Sequence, residues 1–272
     1  MVRVKNHYRL KVLTVVLTLL SAIASGLGLL MPELYRDNDF VKTAWYGNDW
    51  VTLAIVVPAL IIVLVFSREE AFKIRIIWMG LISYLFYNYS FYLFGAAFNS
   101  AFLIYTAIFS LSLFILMMGL SSMQVQGIVG SSKLLRGISI YLFFIAFMLC
   151  MVEVSQSILF ITEGRIPEIM IKTQHPGNIV FALDLGLIVP AMFLSAVWLW
   201  QKKFWGYVLG AMMLIKGFTY GLVLFMGGLL MESRNLGEDP MLPVWLLLSL
   251  SGLGCLVILF NKTKLQPAIL SR

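Results

Sequence analysis

A chain of 272 residues that is 61% hydrophobic and 12% charged, with a mean hydropathy of +0.93, has more apolar surface than a soluble domain can hide. That composition excludes an ordinary soluble enzyme or binding module and defines an integral membrane protein. The net charge of +7 predicts no nucleic-acid partner, because basic loops on one face of a membrane protein give the same balance.

A spanning helix needs about 20 mainly apolar residues. Eight segments meet this, at 12–31, 50–67, 74–95, 100–120, 138–162, 179–200, 204–230 and 242–260, and predict an all-α polytopic bundle of about eight transmembrane helices in one domain, 1–272. The first begins like a signal peptide, with basic residues, an apolar run and the small residues of "SAIASG". Cleavage would leave seven spans, but the run continues through "LGLLMP" to spanning length, so the helix is expected to be retained. The second contains Pro58 and the sixth Pro190, each a kink that frees an upstream carbonyl, Ala54 or Gly186, from its helical donor. In the third, Tyr84, Asn88 and Tyr92 repeat at four-residue spacing and share one face. The fifth, sixth and seventh each carry one charged residue well inside the span: Glu153, Asp184 and Lys216.

The connections alternate in charge. Fourteen basic residues stand at the N-terminus, the even-numbered connections and the C-terminus, where Lys262, Lys264 and Arg272 lie. The odd-numbered connections hold five basic residues and nine acids, among them Asp37, Asp39, Glu168 and Asp239. The positive-inside rule then puts both termini in the cytoplasm, which an even number of spans requires. The tryptophans stand at span ends, Trp45, Trp50 and Trp245 on one side and Trp78, Trp198, Trp200 and Trp205 on the other, as expected of rings at headgroup level. Gly26, Gly28, Gly206, Gly210, Gly217 and Gly221 include small-xxx-small spacings that predict close helix packing.

An internal duplication is also visible. "KTAWYGN" at 42–48 and "KTQHPGN" at 172–178 share four residues at identical spacing, and each precedes a Val-Pro-Ala, at 57–59 and 189–191. Counting back from the prolines aligns "TLAIVVPA" with "DLGLIVPA", so Thr52 lies against Asp184. Residues 1–132 and 133–272 are thus candidate four-helix repeats in parallel orientation.

A charge in a bilayer costs roughly 2.5–3.5 kcal/mol on the insertion scale, so intramembrane charges are read first as functional. Glu153, Asp184 and Lys216, with Asn88, Tyr84 and Tyr92, form the candidate substrate or proton site. The competing reading is an ion pair and interhelical hydrogen bonds that only hold helices in register. No Walker loop, dinucleotide fingerprint, HExxH or CxxC occurs, and the only histidines are His7 and His175. Cys150 and Cys255 each lie in an apolar run. No enzyme, metal site or cofactor is therefore expected.

The blocks "YNYSFYLFGAAFN" and "ALDLGLIVPA…WGYVLG" resemble those of an uncharacterised family of prokaryotic multi-pass membrane proteins with no assigned function. The resemblance implies a prokaryotic plasma membrane and brings no catalytic residues with it. The expectation is a small transporter or permease with a small solute or proton as partner, working by rocking of one repeat against the other. The alternative is a membrane scaffold, sensor or assembly partner whose buried charges are structural.

Overall fold

The computed structural model of the protein describes residues 2–68 and 71–267, and helices occupy all eight expected spans. Arg272, counted above with the basic residues, lies outside the described residues. The chain divides into two compact units, Met1–Met123 with Ile215–Gly252 and Gln124–Leu214 with Leu253–Arg272.

The first unit contains α1 (Val2–Leu30), α2 (Asp39–Phe66), α3 (Phe72–Phe94) and α4 (Phe102–Ser121). The sequence placed the second span at 50–67, but α2 begins eleven residues earlier, at Asp39. Asn38 caps it by accepting from Val41 N at 3.0 Å, and Asp39 adds an acid to the first turn. The added segment is buried: Val41, Thr43, Trp45, Tyr46 and Gly47 all face protein. Hydropathy misses such a stretch because its polar atoms are met by other side chains and not by lipid.

One end of this unit is tied by His7 Nε2 near the Ser67 carbonyl at 3.4 Å and by Arg75 donating to Ser122. At the other end Asp37 accepts from Trp45 Nε1 and from the Ala97 amide, both at 3.0 Å. Helix α3 runs from one set of ties to the other. It is long enough to span, yet it is not among the seven helices of the described chain that are also apolar enough to do so. Its tyrosines and Asn88 lower its hydropathy, and they are tolerable because Tyr84, Tyr87, Asn88, Tyr89 and Tyr92 are all buried in protein.

The second unit contains the ribbon strand β1 (Gln126–Gly130), α5 (Ser132–Glu163), the short α6 (Glu168–Thr173) and α7 (Ile179–Trp200). Helix α8 (Phe204–Ser233) and helix α9 (Leu242–Lys262) contribute residues to both units, and β2 (Thr263–Pro267) closes the second. β1 and β2 pair antiparallel, Gln126 against Pro267 and Gly130 against Thr263, a ribbon that the helical reading did not include. Helix α5 packs along α7, with Phe143 edge-on to Phe193 at 5.1 Å. Its other side shows Phe144, Phe147, Met148, Met151 and Val152, each about half exposed. A continuous apolar face of that size is lipid-contacting surface.

The tryptophan belt needs correction. Trp78 and Trp45 are only 1% and 5% exposed, held by hydrogen bonds to Thr14 and Asp37. They anchor protein to protein, while Trp50 and Trp200 remain exposed. Glycine packing is also selective: side chains or backbone crowd Gly28, Gly206 and Gly221, but nothing approaches Gly26 or Gly217.

Candidate functional site

The prolines do more than kink their helices. Thr52–Val56 and Asp184–Ile188 are each one π-helical turn, and each is followed directly by Val-Pro-Ala. Val57 N–H donates to Thr52 O and Val189 N–H donates to Asp184 O, five residues back where an α-helix would use four. The next residue in each case is proline, which donates nothing, so the upstream carbonyls lose a helical donor. Inserting one extra residue into the turn is how a helix accommodates this, and such bulges concentrate at functional positions. Thr52 and Asp184, aligned by sequence, are the first residues of the two turns, and both are buried.

The sequence-predicted residues are all buried, and they divide between the units. Glu153 and Asp184 belong to the second, where α5 packs against the π turn that Asp184 opens. Lys216, Asn88, Tyr84 and Tyr92 belong to the first. There the Lys216 ammonium lies over the rings of Tyr87 at 4.0 Å and Tyr220 at 4.4 Å, a cation–π arrangement that offsets its desolvation. Tyr84 meets the Thr52 hydroxyl at 3.0 Å, which joins α3 to the first π turn. Asn88 is fully buried, and neither its side-chain oxygen nor its nitrogen has a hydrogen-bond partner among the described residues.

Tyr92 leads to a fourth intramembrane charge, which the sequence reading placed among loop acids. Asp49 is 1% exposed and lies ten residues into α2. Its Oδ2 accepts from the Tyr35 hydroxyl at 2.5 Å and its Oδ1 from the Tyr92 hydroxyl at 2.9 Å, with Ser25 alongside. Gly28 on α1 lies so close that a Cβ there would land on Asp49 Oδ2 and the Tyr35 oxygen. Tyr89 and Tyr105 pack against Tyr92 at 5.2 and 5.0 Å, and Trp45 lies tilted against it at 4.7 Å. Burial, and then the facing Asp49, push the Tyr35 hydroxyl well above its ordinary pKa, so Tyr35 stays a donor. The signals for this cluster were Asn38 as a cap and the spacing of Trp45, Asp49, Thr52 and Val56 on one helical face.

Beside the cluster, at the Asp37 end of the first unit, is an open pocket of about 660 Å³ lined in part by Glu33, Arg36, Asn99 and Ser100. Asn99 reaches toward the Tyr105 hydroxyl, and Tyr105 in turn lies toward Tyr35. The described residues hold no group of three or more His, Cys, Asp or Glu side chains suited to a metal ion.

These features define a multi-pass integral membrane protein of helical build, in contact with lipid and carrying buried polar clusters at interrupted helices. No family model matches the chain, nor does any curated protein or solved structure, so the resemblance of its two sequence blocks is not extended to membership of a family.

Proposed function

We propose that the protein is a small transporter or permease of the prokaryotic plasma membrane. It crosses eight times, α3 included, with both termini cytoplasmic, and residues 1–132 and 133–272 are parallel repeats. The observation that carries this reading is the repeated π turn before Val-Pro-Ala, opening on Thr52 in one copy and Asp184 in the other. Transporters place solute and ion sites where membrane helices are interrupted, because the freed backbone groups and adjacent side chains serve as ligands. Glu153, Asp184, Lys216, Asn88, Tyr84 and Tyr92 supply charged and polar groups of the kind such a site uses, and no step calls for a cofactor or catalytic residue.

The test is proton movement in proteoliposomes under an imposed pH gradient. The wild type is expected to exceed empty vesicles, and Asp184→Asn and Lys216→Met to abolish the excess while retaining helicity and monodispersity. Unchanged flux in both variants sinks the site.

One observation favours the second reading, a scaffold or assembly partner. The engagement of Lys216 by two tyrosine rings would suffice to hold a structural lysine in place. That reading predicts no flux above empty vesicles, and an Asp184→Asn/Lys216→Met double variant that regains stability lost in either single one.

A further inference from the structure

The carboxyl of Asp49 has features that an acid buried only for packing does not need. It is surrounded from every element packed on it. α1 contributes Ser25 and the bare backbone of Gly28; the 31–38 connection contributes Tyr35; α3 contributes Tyr84, Tyr89 and Tyr92; α4 contributes Tyr105. No lysine, arginine or histidine pairs with it among the described residues; Arg234, the basic residue of α8 near this end, lies over the Tyr46 ring instead. The charge of an ionised Asp49 is therefore met by hydroxyl hydrogens alone.

Space and hydrogen count then decide what can bind. The hydroxyl oxygens of Tyr35 and Tyr92 already stand at 2.5 and 2.9 Å from the carboxylate, and even a methyl at Gly28 would collide with it. A coordinated cation needs oxygens about 2.3–2.6 Å from itself on several sides, which requires the carboxylate and hydroxyls to part. A proton needs no room. The Tyr92 hydroxyl, moreover, has one hydrogen and two acceptors in reach, Asp49 Oδ1 at 2.9 Å and the Trp45 carbonyl at 3.1 Å. With Asp49 ionised it donates to the carboxylate; once Oδ2 is protonated Oδ1 is a weaker acceptor, and the Trp45 carbonyl offers the same hydrogen a second place to go.

We infer that Asp49 is a proton-exchange site, loaded and unloaded through the Tyr35 and Tyr105 hydroxyls from the pocket lined by Glu33, Arg36, Asn99 and Ser100. The buried Tyr105 ring packs against Tyr92 at 5.0 Å, and its hydroxyl is within reach of Tyr35 and of Asn99, which lines the pocket. On loading, a hydronium that enters from the pocket past Asn99 gives a proton to the Tyr105 oxygen, and Tyr105 passes its own hydrogen to the Tyr35 oxygen. Tyr35 releases its original hydrogen to Asp49 Oδ2. One O–H bond breaks and one forms at each tyrosine, both stay neutral, and the carboxyl gains the proton. Unloading reverses each transfer.

This inference does not depend on transport, and its test reads protonation directly. Infrared difference spectra are recorded on the whole protein in lipid vesicles, from mildly acidic to mildly alkaline pH, as wild type minus Asp49→Asn so that other buried carboxyls cancel. A protonated-carboxyl C=O band that titrates and vanishes from the variant is expected. Tyr92→Phe removes one donor to the ionised form, so the band should persist to higher pH by roughly tenfold in proton affinity. Tyr105→Phe should slow hydrogen–deuterium exchange of the band by at least about tenfold, since a relay hydroxyl is lost. A titrating band that survives Asp49→Asn, or no titration in the wild type, overturns the site. An unmoved midpoint in Tyr92→Phe overturns the two-acceptor account, and unchanged exchange in Tyr105→Phe overturns the route. The Tyr92→Phe and Tyr105→Phe spectra stand by themselves should Asp49→Asn fail to fold.

Discussion

Two glycines on α1, two residues apart in sequence and so on nearly opposite sides of the helix, give a sharp test of the Asp49 environment. A methyl at Gly28 would fall on Asp49 Oδ2 and the Tyr35 oxygen, whereas a methyl at Gly26 meets nothing within 4 Å. Both changes alter the same helix and carry the same gain in helix propensity, so their difference isolates the contact. Overpacking costs about 1–3 kcal/mol. Parting Tyr35 from the carboxyl adds the loss of a hydrogen bond to an acidic group, about 1.5–3 kcal/mol. Tyr35 sits in the 31–38 connection, outside any helix, and its movement relieves part of this strain. Gly28→Ala should therefore be less stable than Gly26→Ala by about 2–4 kcal/mol. Equilibrium unfolding in mixed micelles, followed by tryptophan fluorescence, measures it, with Trp45 against Tyr92 as a local reporter. Equal stability of the two variants, within about 0.5 kcal/mol, would refute the placement of the carboxyl against α1.

Further expectations follow from other contacts. In Gly47→Ala the new Cβ would lie 2.9 Å from the Gly227 amide nitrogen and 3.1 Å from Val223 O. Backbone on α8 cannot turn aside, so the variant should lose about 1–3 kcal/mol in the same unfolding assay. Tyr84→Phe removes only the hydroxyl contact to Thr52, and should cost near the membrane average of about 0.6 kcal/mol. At the α6 surface, Lys172 lies 2.8 Å from Glu168, and its hydrogen bond and then its charge hold the Glu168 carboxyl below its ordinary 4.5. A depressed carboxyl pKa stabilises the short helix above the unfolded value and loses that effect as pH falls through the folded one. Lys172→Met should return the Glu168 titration to its ordinary range, read by carboxyl NMR.

Helices were legible in the sequence because spanning segments must be long and apolar, and a bilayer allows few other solutions. The start of α2 was not, for the same reason. Lys42, Thr43, Asn48 and Asp49 read as loop on any hydropathy scale, and only the packing of α1, α3 and α8 around them makes a helix affordable there. Trp45 and Trp78 were assigned to headgroups by their position at span ends, but position does not reveal which side of a helix faces protein. The β1–β2 pair joins residues far apart in sequence without a local turn signal, so nothing near either strand announces it. Of the site, the face of Tyr84, Asn88 and Tyr92 was visible in its four-residue spacing. The carboxylate that Tyr92 serves lies one residue before the expected start of the span at 50 and so reads as loop.

The placement of Asp49 changes the comparison between α2 and α7. A span beginning at 50 leaves Asp184 of α7 without a buried acid in α2 to set beside it. With Asp49 inside α2, each helix buries one acid just ahead of, or at, its π turn. Counting back from the prolines, Asp49 aligns with Phe181 and Thr52 with Asp184, so the acids are offset by three residues, about 4.5 Å along the axis. The offset sets their surroundings. Asp49 lies a turn before the irregular backbone and is met by tyrosine hydroxyls; Asp184 opens the irregular turn itself, and its own carbonyl accepts the five-residue bond. A proton suits the first position because hydroxyls fill the space around it. The second is buried while Gly186 and Pro190 on the same turn are exposed, so this carboxylate and the kink lie on different sides of the helix. The same π turn before Val-Pro-Ala thus carries its buried acid in two different settings, about one turn apart along the helix.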